Sequence, residues 1–377
     1  MIRFLKLAFC LLIFSRSFSQ EKWDLRKCVD YALQNNISVK QADLQIRFAE
    51  LDLQQSKLSQ YPFLNLGGNL GYSSGRNQDP TSFSLITTGY LSNNYSLQAS
   101  VDLFNWFTKK NTVAVKDYNF QATQAGAQKA RDDISLNVAV AYLQVLLGNE
   151  QSNLAAIQVE QTKSQLESTR KQVDAGALPE LNAAQVESQL ATDSSNLIAA
   201  QTSAQELLLQ LKALLNLDAA ADFDIASVPV DLVPVESLAD LQPEAVYNLA
   251  LANMPQQKVD ELNLKAAIKS VQVARGNMYP TFSLFGSLGT TYNDKANEIK
   301  SKTQINAPIG TVTVGVANYQ VYPLSPFDVY SYGKVTYFNQ LNQNFRQSIG
   351  LSLNVPILNG GNLRTGWQRA KLSLKQT

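Results

Sequence analysis

Two hydrophobic periods follow one another along this chain. Residues 25–60 are rich in Leu, Gln, Ala and Lys and contain neither Gly nor Pro, so they predict a short helix. It ends at Tyr61-Pro62, because a proline forces the preceding residue out of the α region. Residues 63–73 and 94–105 then alternate apolar positions with Ser, Asn, Gln and Gly. This period of two predicts β-strands with one apolar face and one polar face.

The same order of elements occurs twice. Tyr61-Pro62 and Tyr279-Pro280 lie 218 positions apart, and their flanks match at that offset without a gap. The second copy predicts a helix at 244–278 and strands at 280–292 and 345–358. The last strand of each copy ends in a matched segment, Val101-Asp102-Leu103-Phe104-Asn105 or Val355-Pro356-Ile357-Leu358-Asn359. Such a duplication indicates one supersecondary unit that is used twice.

Residues 109–217 predict a long helical hairpin. Apolar and small residues recur at intervals of seven on both sides of one break, which indicates coiled-coil packing. One such series runs through Val186, Ala200, Leu207 and Leu214. The break lies at 174–179, where Gly176 suits a helix C-cap and Pro179 the first turn of the next helix. A purely structural coiled coil has the same pattern, but the small residues and the Gln-, Ser- and Thr-rich surface favour a wall of helices packed on both sides.

The remaining segments complete the predicted organisation. Residues 218–243 contain three prolines and several acidic residues and predict an equatorial connector with little regular structure. Residues 294–342 are rich in Tyr and predict a long external loop, and 363–377 predict the start of a helix. The domains are a signal peptide at 1–19, a first repeat at 20–217, the connector, and a second repeat at 244–377. We expect the second repeat to be incomplete, because only 18 residues follow Asn359, whereas a long helical tract follows Asn105.

Charge and composition exclude several classes of function. Arg3 and Lys6 precede a short apolar core and a small-residue cleavage site at Ser17-Phe18-Ser19, which predicts export. Removing residues 1–19 leaves 29 basic and 31 acidic residues, a net charge of −2 that argues against a nucleic-acid partner. The chain has no histidine, which excludes a His-dependent catalytic triad and a typical catalytic zinc site. We therefore predict no enzyme activity, no cofactor and no metal site.

The predicted strands fit a membrane better than water. A half-buried strand of a soluble protein has the same alternation, but the export signal favours an outer-membrane barrel, whose strands are apolar outside and polar inside. Four strands cannot close such a barrel, since the smallest bacterial barrels have about 8. An open edge in lipid would leave backbone groups without hydrogen bonds. Several chains must therefore share one barrel.

Together these features resemble the outer membrane efflux protein family, the TolC-like trimeric channels. The duplicated helix–Tyr-Pro–strand, the two matched strand ends and the turn at Gly176 carry the resemblance, which covers almost the whole mature chain. It implies a mostly α fold with a membrane β-barrel portion. Three chains with four strands each would form a homotrimer with a shared 12-strand barrel, continued by an α-helical coiled-coil barrel across the periplasm. The implied function is a passive exit duct in the cell outer membrane, in contact with outer membrane lipid.

The resemblance also implies partners and a contact site. Such a duct serves a tripartite efflux or type I secretion system, carries small molecules or exported proteins, and meets a periplasmic adaptor (membrane fusion) protein and an inner-membrane pump. In the family, the hairpin turn has a Gly, an apolar residue close behind it and an Asp six positions after the Gly. Gly176 and Leu178 match this pattern, whereas position 182 holds Asn182. The resemblance thus assigns adaptor contact to Gly176, Ala177 and Leu178, and to Asn182 with a changed side chain; a tight turn alone also accounts for Gly176.

Some properties stay open. The residues that narrow the periplasmic aperture in the family belong to the hairpin expected to be missing from the second repeat, so none is assigned here. The substrate and the particular pump and adaptor do not follow from the sequence. The alternative interpretation is a periplasmic coiled-coil adaptor or structural protein that never enters a membrane.

Overall fold

The structure is a computed structural model that describes residues 22–78, 83–226 and 242–377. Within these ranges the fold is mostly helical, with a four-stranded antiparallel sheet and two small two-stranded sheets. This confirms the predicted class, a mostly α fold with a β portion. The elements in chain order are α1 Leu25–Asn35, α2 Ile37–Leu58, β1 Phe63–Gln78, β2 Leu85–Phe104, α3 Thr108–Asp174, α4 Glu180–Leu215, α5 Pro243–Asn253, α6 Pro255–Gly276, β3 Thr281–Asn293, β4 Asn297–Ile305, β5 Gly310–Val314, β6 Ala317–Val321, β7 Phe327–Lys334, α7 Tyr337–Gln343, β8 Arg346–Asn354 and α8 Asn362–Gln376.

The chain divides into two compact units. One is drawn from residues 1–53, 115–266 and 377 and contains the paired parts of the helical hairpin. The other is drawn from residues 54–114 and 267–376 and contains the sheets. None of the helices in the described ranges is both long and apolar enough to cross a bilayer.

Each predicted helix of the repeat is divided in two. The sequence predicts single helices at 25–60 and 244–278, whereas Asn36 separates α1 from α2, and Met254 separates α5 from α6. Both residues have extended backbone, with ψ of 133° and 121°. Pro255 explains the second break; at the first, the Asn36 side chain accepts a hydrogen bond of 2.8 Å from the backbone two residues on, as a helix N-cap does. The two breaks lie 218 positions apart, so the break belongs to the repeated unit.

The main sheet has the strand order β1-β2-β3-β8, with all neighbours antiparallel. β1 and β2 extend beyond the predicted 63–73 and 94–105 at their joined ends, as far as the pair Gln78–Leu85. The backbone ladder continues there although residues 74–78 of β1 are polar or glycine and lack the apolar alternation, because ladder hydrogen bonds do not depend on side chains.

The second pair of strands differs less from its prediction. β3 starts and ends one residue later than the predicted 280–292. β8 ends at Asn354 instead of reaching 358, because Pro356 has no N–H to donate to a ladder. The helix predicted at 363–377 is α8, which begins one residue earlier.

The segment 294–342, predicted as a long external loop, contains regular structure. β4 pairs with β7 and β5 pairs with β6, both antiparallel, and α7 follows. Gly315 connects β5 to β6 with φ of +67°, a conformation that glycine adopts without a Cβ penalty. The Tyr-rich composition therefore belongs largely to short strands rather than to irregular loop.

The helices α3 and α4 pack antiparallel through small residues. A Cβ atom placed on Gly148 would lie 2.9 Å from Leu207 Cδ1 and 3.3 Å from Ala204 Cα. Gly148 therefore permits a close approach of the two helices that a larger side chain would prevent.

The core of the first unit surrounds Tyr142. Its members are Cys28, Ala32, Val138, Ala141, Tyr142, Val145, Leu211, Leu215, Phe223 and Ile225. The Tyr142 hydroxyl lies 2.5 Å from the Ala226 carbonyl oxygen and 3.2 Å from that of Trp23. Trp23 also forms a parallel β-bridge with Ile225. The hydroxyl of this buried tyrosine thus links α3 by hydrogen bonds to the start of the described chain and to the start of the connector.

The described start of the predicted connector 218–243 is anchored by Lys212. This residue is only 7% exposed, and its ammonium group donates to the carbonyl oxygens of Ala219 (2.9 Å) and Ala221 (2.6 Å). A buried charge needs such partners to offset its lost hydration. Residues 227–241 of the connector and the predicted signal peptide 1–19 lie outside the described residues.

Replacing Tyr142 with Phe removes the hydroxyl that reaches both carbonyl groups. A lost hydrogen bond in a core costs about 1 kcal/mol, so we expect Tyr142→Phe to lower the thermal unfolding midpoint measured by circular dichroism at neutral pH. Tyr247→Phe is the control, because Tyr247 is 62% exposed. An equal loss in the two variants would contradict the assigned role.

The same core predicts a weakness at alkaline pH. Burial raises the pKa of Cys28 from 9.0 to about 11 and that of Tyr142 from 10.0 to about 12. A raised folded-state pKa stabilises the protein fully below the unfolded value, and this contribution is lost as the pH rises through the folded value. The unfolding midpoint of the wild type should therefore fall above pH 9.0, and less steeply in Tyr142→Phe.

Candidate functional site: the tip of the helical hairpin

The tip is built by the way α3 ends. The Gly176 N–H donates to the Val173 carbonyl (2.9 Å), and the Ala177 N–H donates to the Gln172 carbonyl (2.8 Å). This pair of bonds is the Schellman arrangement, which requires a left-handed residue between helix and turn. Gly176 meets that requirement with φ of +75°, and no atom lies within 4 Å of where its Cβ would be. Backbone geometry, rather than crowding, therefore selects glycine here.

The second helix starts without a side-chain cap. Pro179 occupies the N-cap position of α4 with extended backbone, and the Asn182 N–H donates to its carbonyl oxygen (3.0 Å). Glu180 lies in the first turn, where its negative charge interacts favourably with the positive end of the helix dipole. Five residues thus suffice to reverse the chain between Asp174 and Glu180.

The structure brings the four predicted contact residues to this one turn. Gly176 and Ala177 are exposed, whereas Leu178 and Asn182 are half-buried. Two small exposed residues leave the backbone accessible, and Leu178 contributes a partly exposed apolar surface beside them. Such a tip can accept the close approach of another helix end, but it carries no group suited to catalysis.

Charged side chains connect the two helices behind the tip. Arg170 of α3 forms an ion pair with Glu187 of α4, and the Glu187 carboxylate raises the pKa of the Arg170 guanidinium. Both side chains are about half exposed, at 59% and 46%. An exposed pair of this kind contributes little to stability, so it orients the hairpin more than it stabilises it.

Deeper in the hairpin, one carboxylate is buried. Asp193 of α4 is 5% exposed and Thr162 of α3 is 3% exposed. The Thr162 hydroxyl donates to Asp193 Oδ2 (2.7 Å), and the Gln189 amide donates to Oδ1 (2.8 Å). Hydrogen bonds from Thr162 first, and from Gln189 and Gln158, lower the pKa of Asp193. A burial penalty on the charge is thus offset by donors from both helices.

The sequence pattern alone does not predict that this carboxylate is buried, although the position of Asp193 in the pattern is an indication of it. Position 193 falls in the interval-of-seven series between Val186 and Ala200, where an apolar or small residue is expected. An acid at such a position indicates either a defect in the seam or a buried polar pair. The structure shows the buried pair.

A second unpredicted feature lies in the other unit, where β2 joins α3. Trp106 and Phe107 have φ of +52° and +60°, the left-handed conformation that bulky residues rarely adopt. The Trp106 indole N–H donates to the Pro280 carbonyl (2.8 Å), and its ring lies 4.7 Å from that of Tyr279. The contacts of the indole hold a strained joint in place.

The second copy shows why that conformation is required. Gly360 and Gly361 follow the matched strand end just as Trp106 and Phe107 do, 254 positions earlier, and have φ of +64° and +78°. The joint between strand and helix thus needs two left-handed residues in each copy. Glycine supplies them without strain in the second copy, whereas aromatic residues do so in the first.

No group of three or more His, Cys, Asp and Glu side chains within the described ranges is arranged to hold a metal ion. The described residues thus combine an antiparallel four-stranded sheet with a hairpin of long antiparallel helices. The family model described as "Outer membrane efflux protein" matches residues 28–217, half of the chain, and the chain belongs to that family.

A curated relative gives the same family. The pyoverdine export outer membrane protein OpmQ of Pseudomonas aeruginosa PAO1 is 30% identical over 206 residues, which are 54% of this chain and 42% of that protein. The chain thus matches less than half the length of this relative. The predicted family is confirmed by these findings, and its members are channel proteins rather than enzymes.

Solved structures show the same fold at low identity. The structure of CusC is 18% identical with a TM-score of 0.71, and the match covers 96% of this chain and 73% of that chain. VceC of Vibrio cholerae is 16% identical with a TM-score of 0.68, and covers 93% and 73%. The outer-membrane channel OprN is 17% identical with a TM-score of 0.68, and covers 93% and 68%.

The buried Asp193 predicts acid sensitivity. Because its folded-state pKa is lowered, its contribution to stability is present above the unfolded value of 3.8 and is lost as the pH falls through the folded value. We expect Asp193→Asn to unfold at lower temperature than the wild type at pH 7, and the difference to shrink below pH 3.8.

Asp132→Asn is the matched control for that experiment. Asp132 accepts a hydrogen bond of 2.8 Å from Gln128 four residues earlier, as Asp193 does from Gln189, but it is exposed. Circular dichroism at 222 nm follows the helices in both variants. A pH-dependent difference of equal size in Asp132→Asn would contradict a special role for the buried carboxylate.

Proposed function

We propose that this chain is one subunit of a homotrimeric exit duct in the outer membrane, with its hairpin in the periplasm. The duct belongs to a tripartite efflux or type I secretion system and conducts small molecules or exported proteins passively. The observation that carries the proposal is the main sheet, which has one apolar face, one polar face and two free edges. Family membership supports the location in the outer membrane.

The apolar face is suited to lipid. Leu66, Ile349 and Leu351 lie on it and are 75%, 79% and 73% exposed in the single chain. Neighbouring strands continue the same face, since Leu66 is opposite Leu97 and Leu284 is opposite Leu351. A continuous apolar face of this size requires a cover, and lipid provides one around a barrel.

The opposite face is suited to water. Its side chains form hydrogen bonds from strand to strand, as in Ser283 to Asp102 (2.8 Å) and between Ser287 and Ser348 (2.7 Å). Small polar groups of this kind suit a hydrated lumen and form no catalytic constellation. They support passive conduction.

The free edges support assembly. β1 and β8 each have one strand neighbour in the described chain. Lipid offers no hydrogen bonds to the other side of these strands, whereas three sheets joined edge to edge close a ring. The resulting even number of strands exceeds the bacterial minimum of about 8.

The hairpin tip supports contact with a periplasmic adaptor protein of an inner-membrane pump. Gly176 and Ala177 expose backbone, Leu178 adds apolar surface, and Asn182 follows in the first turn of α4. We expect a photoreactive benzoylphenylalanine in place of Ala177 to give a covalent adduct with a membrane fusion protein in intact cells. The same residue in place of the exposed Gln201, farther along α4, is the control; equal adducts from both positions would overturn the tip assignment.

The two faces of β8 allow a direct test of membrane insertion. Leu351 and Ser352 are neighbours on opposite faces. A lysine facing lipid near the middle of the bilayer costs about 2–4 kcal/mol, so Leu351→Lys should reduce the amount of assembled protein in the outer membrane fraction. Ser352→Lys faces the lumen and should leave that amount nearly unchanged.

That experiment also separates the rival function. A periplasmic adaptor or structural protein would be recovered in the soluble fraction without detergent. Wild-type protein in that fraction, with both lysine variants unaffected, would overturn the proposal.

A further inference from the structure

We propose that the two free edges pair with each other between adjacent copies in one defined register, with Ser352 of β8 directly opposite Asn69 of β1 in the next copy. The pairing is antiparallel. This inference deepens the proposed function and rests on it. It is derived from the internal duplication, because one seam of the same kind already exists inside each chain.

The duplication predicts a register that can be checked within the chain. Residues of β1 correspond to residues of β3 that are 218 positions later, and residues of β2 correspond to residues of β8 that are 254 positions later. The observed pair Phe63–Ser100 therefore predicts the pair Thr281–Asn354, and this pair is present.

A second pair gives the same result. Leu66 opposite Leu97 predicts Leu284 opposite Leu351, which the structure also shows. The two offsets thus relate the β1–β2 pairing to the β3–β8 pairing with no change of register. The same offsets can be applied to the remaining ladder, between β2 and β3.

The ladder between β2 and β3 joins the end of the first copy to the start of the second. By the same offsets, β2 corresponds to β8, and β3 corresponds to β1 of the next copy. The observed pair Gln98–Ser287 becomes Ser352–Asn69. Further pairs derived in this way are Val355–Leu66, Leu351–Leu70, Ile349–Tyr72 and Ser348–Ser73.

The derived register keeps both faces of the sheet continuous. Leu351 and Ile349 meet Leu70 and Tyr72 on the apolar face. On the polar face, Ser352 meets Asn69. A slip by one residue would place apolar side chains in the lumen and polar ones in lipid. The patterns of the two edges, which lie at opposite ends of the sheet, are therefore complementary.

The seam between copies differs from its internal counterpart at the joint to the helices. Inside the chain, Trp106 donates to the Pro280 carbonyl (2.8 Å). The offsets replace Trp106 with Gly360 and Pro280 with Pro62 of the next copy. Glycine has no indole to donate, so the seam depends on its backbone ladder at this point, whereas the internal joint also has a side-chain hydrogen bond.

Cysteine cross-linking tests the register. Directly opposite residues in an antiparallel pair have Cα atoms about 4.5–5.5 Å apart, within the range of about 4.4–6.8 Å that a disulfide spans. We expect the full chain with Asn69→Cys and Ser352→Cys, oxidised in outer membranes, to form covalent dimers and trimers on non-reducing gels. Co-expressed chains that each carry one of the two cysteines should give dimers only.

Two shifted pairs control for register. Asn65→Cys or Ser73→Cys combined with Ser352→Cys moves the cysteines four positions out of register, about 13 Å along the strand at about 3.3 Å per residue. We expect no covalent oligomers from either. Cross-linking by a shifted pair in preference to the matched pair would overturn the register and leave the proposed trimer intact.

An internal pair distinguishes this failure from failure of the proposed function. Gln98→Cys with Ser287→Cys should form a disulfide inside one chain, because these residues are observed as a pair. If this pair oxidises while none of the three edge pairs gives oligomers, the edges do not meet, and both the register and the shared barrel are wrong. The native Cys28 is buried, with a pKa raised to about 11 by that burial, and should not compete.

Discussion

The rest of this structure depends on one requirement: the backbone N–H and C=O groups of the sheet need hydrogen-bond partners. In lipid, an N–H or C=O group without a protein partner costs several kcal/mol. The four strands satisfy one another internally, but β1 and β8 each keep one open side. In the proposed duct, lipid covers the apolar face, and the open edges pair with further copies of the chain. Both requirements of the sheet are then met.

The helical hairpin is governed by a different balance. Its seam includes small residues such as Gly148, which permit a close approach of the two helices. Polar contacts inside the seam add to the packing of these small residues and of the apolar core. Asp193 is the main example, since donors from both helices surround its carboxylate. A buried polar pair at one position also disfavours shifted alignments of the two helices, which would leave the charge without partners.

The joint that follows the last strand of each copy needs left-handed backbone, and the two copies achieve it with different residues. Both copies need two consecutive left-handed residues after the strand. Gly360 and Gly361 adopt that conformation freely, whereas Trp106 and Phe107 adopt it against their intrinsic preference. The indole contacts with Tyr279 and Pro280 account for the retention of the strained pair. A duplicated unit has thus kept its backbone geometry while its side chains diverged.

The sequence by itself determined what depends on neighbours along the chain. The period of two predicts the strands, the interval of seven predicts the hairpin, and Gly176 with Pro179 predicts its turn, because each signal reports local backbone preference. Tertiary structure decided what depends on distant residues. Asn36 ends α1 where its side chain donates to the carbonyl of Leu214, 178 positions away (2.8 Å). Contacts between elements likewise determine the burial of Asp193, the left-handed conformation of Trp106 and the length of the β1–β2 ladder. The residues next to each of these positions in the sequence do not specify such contacts.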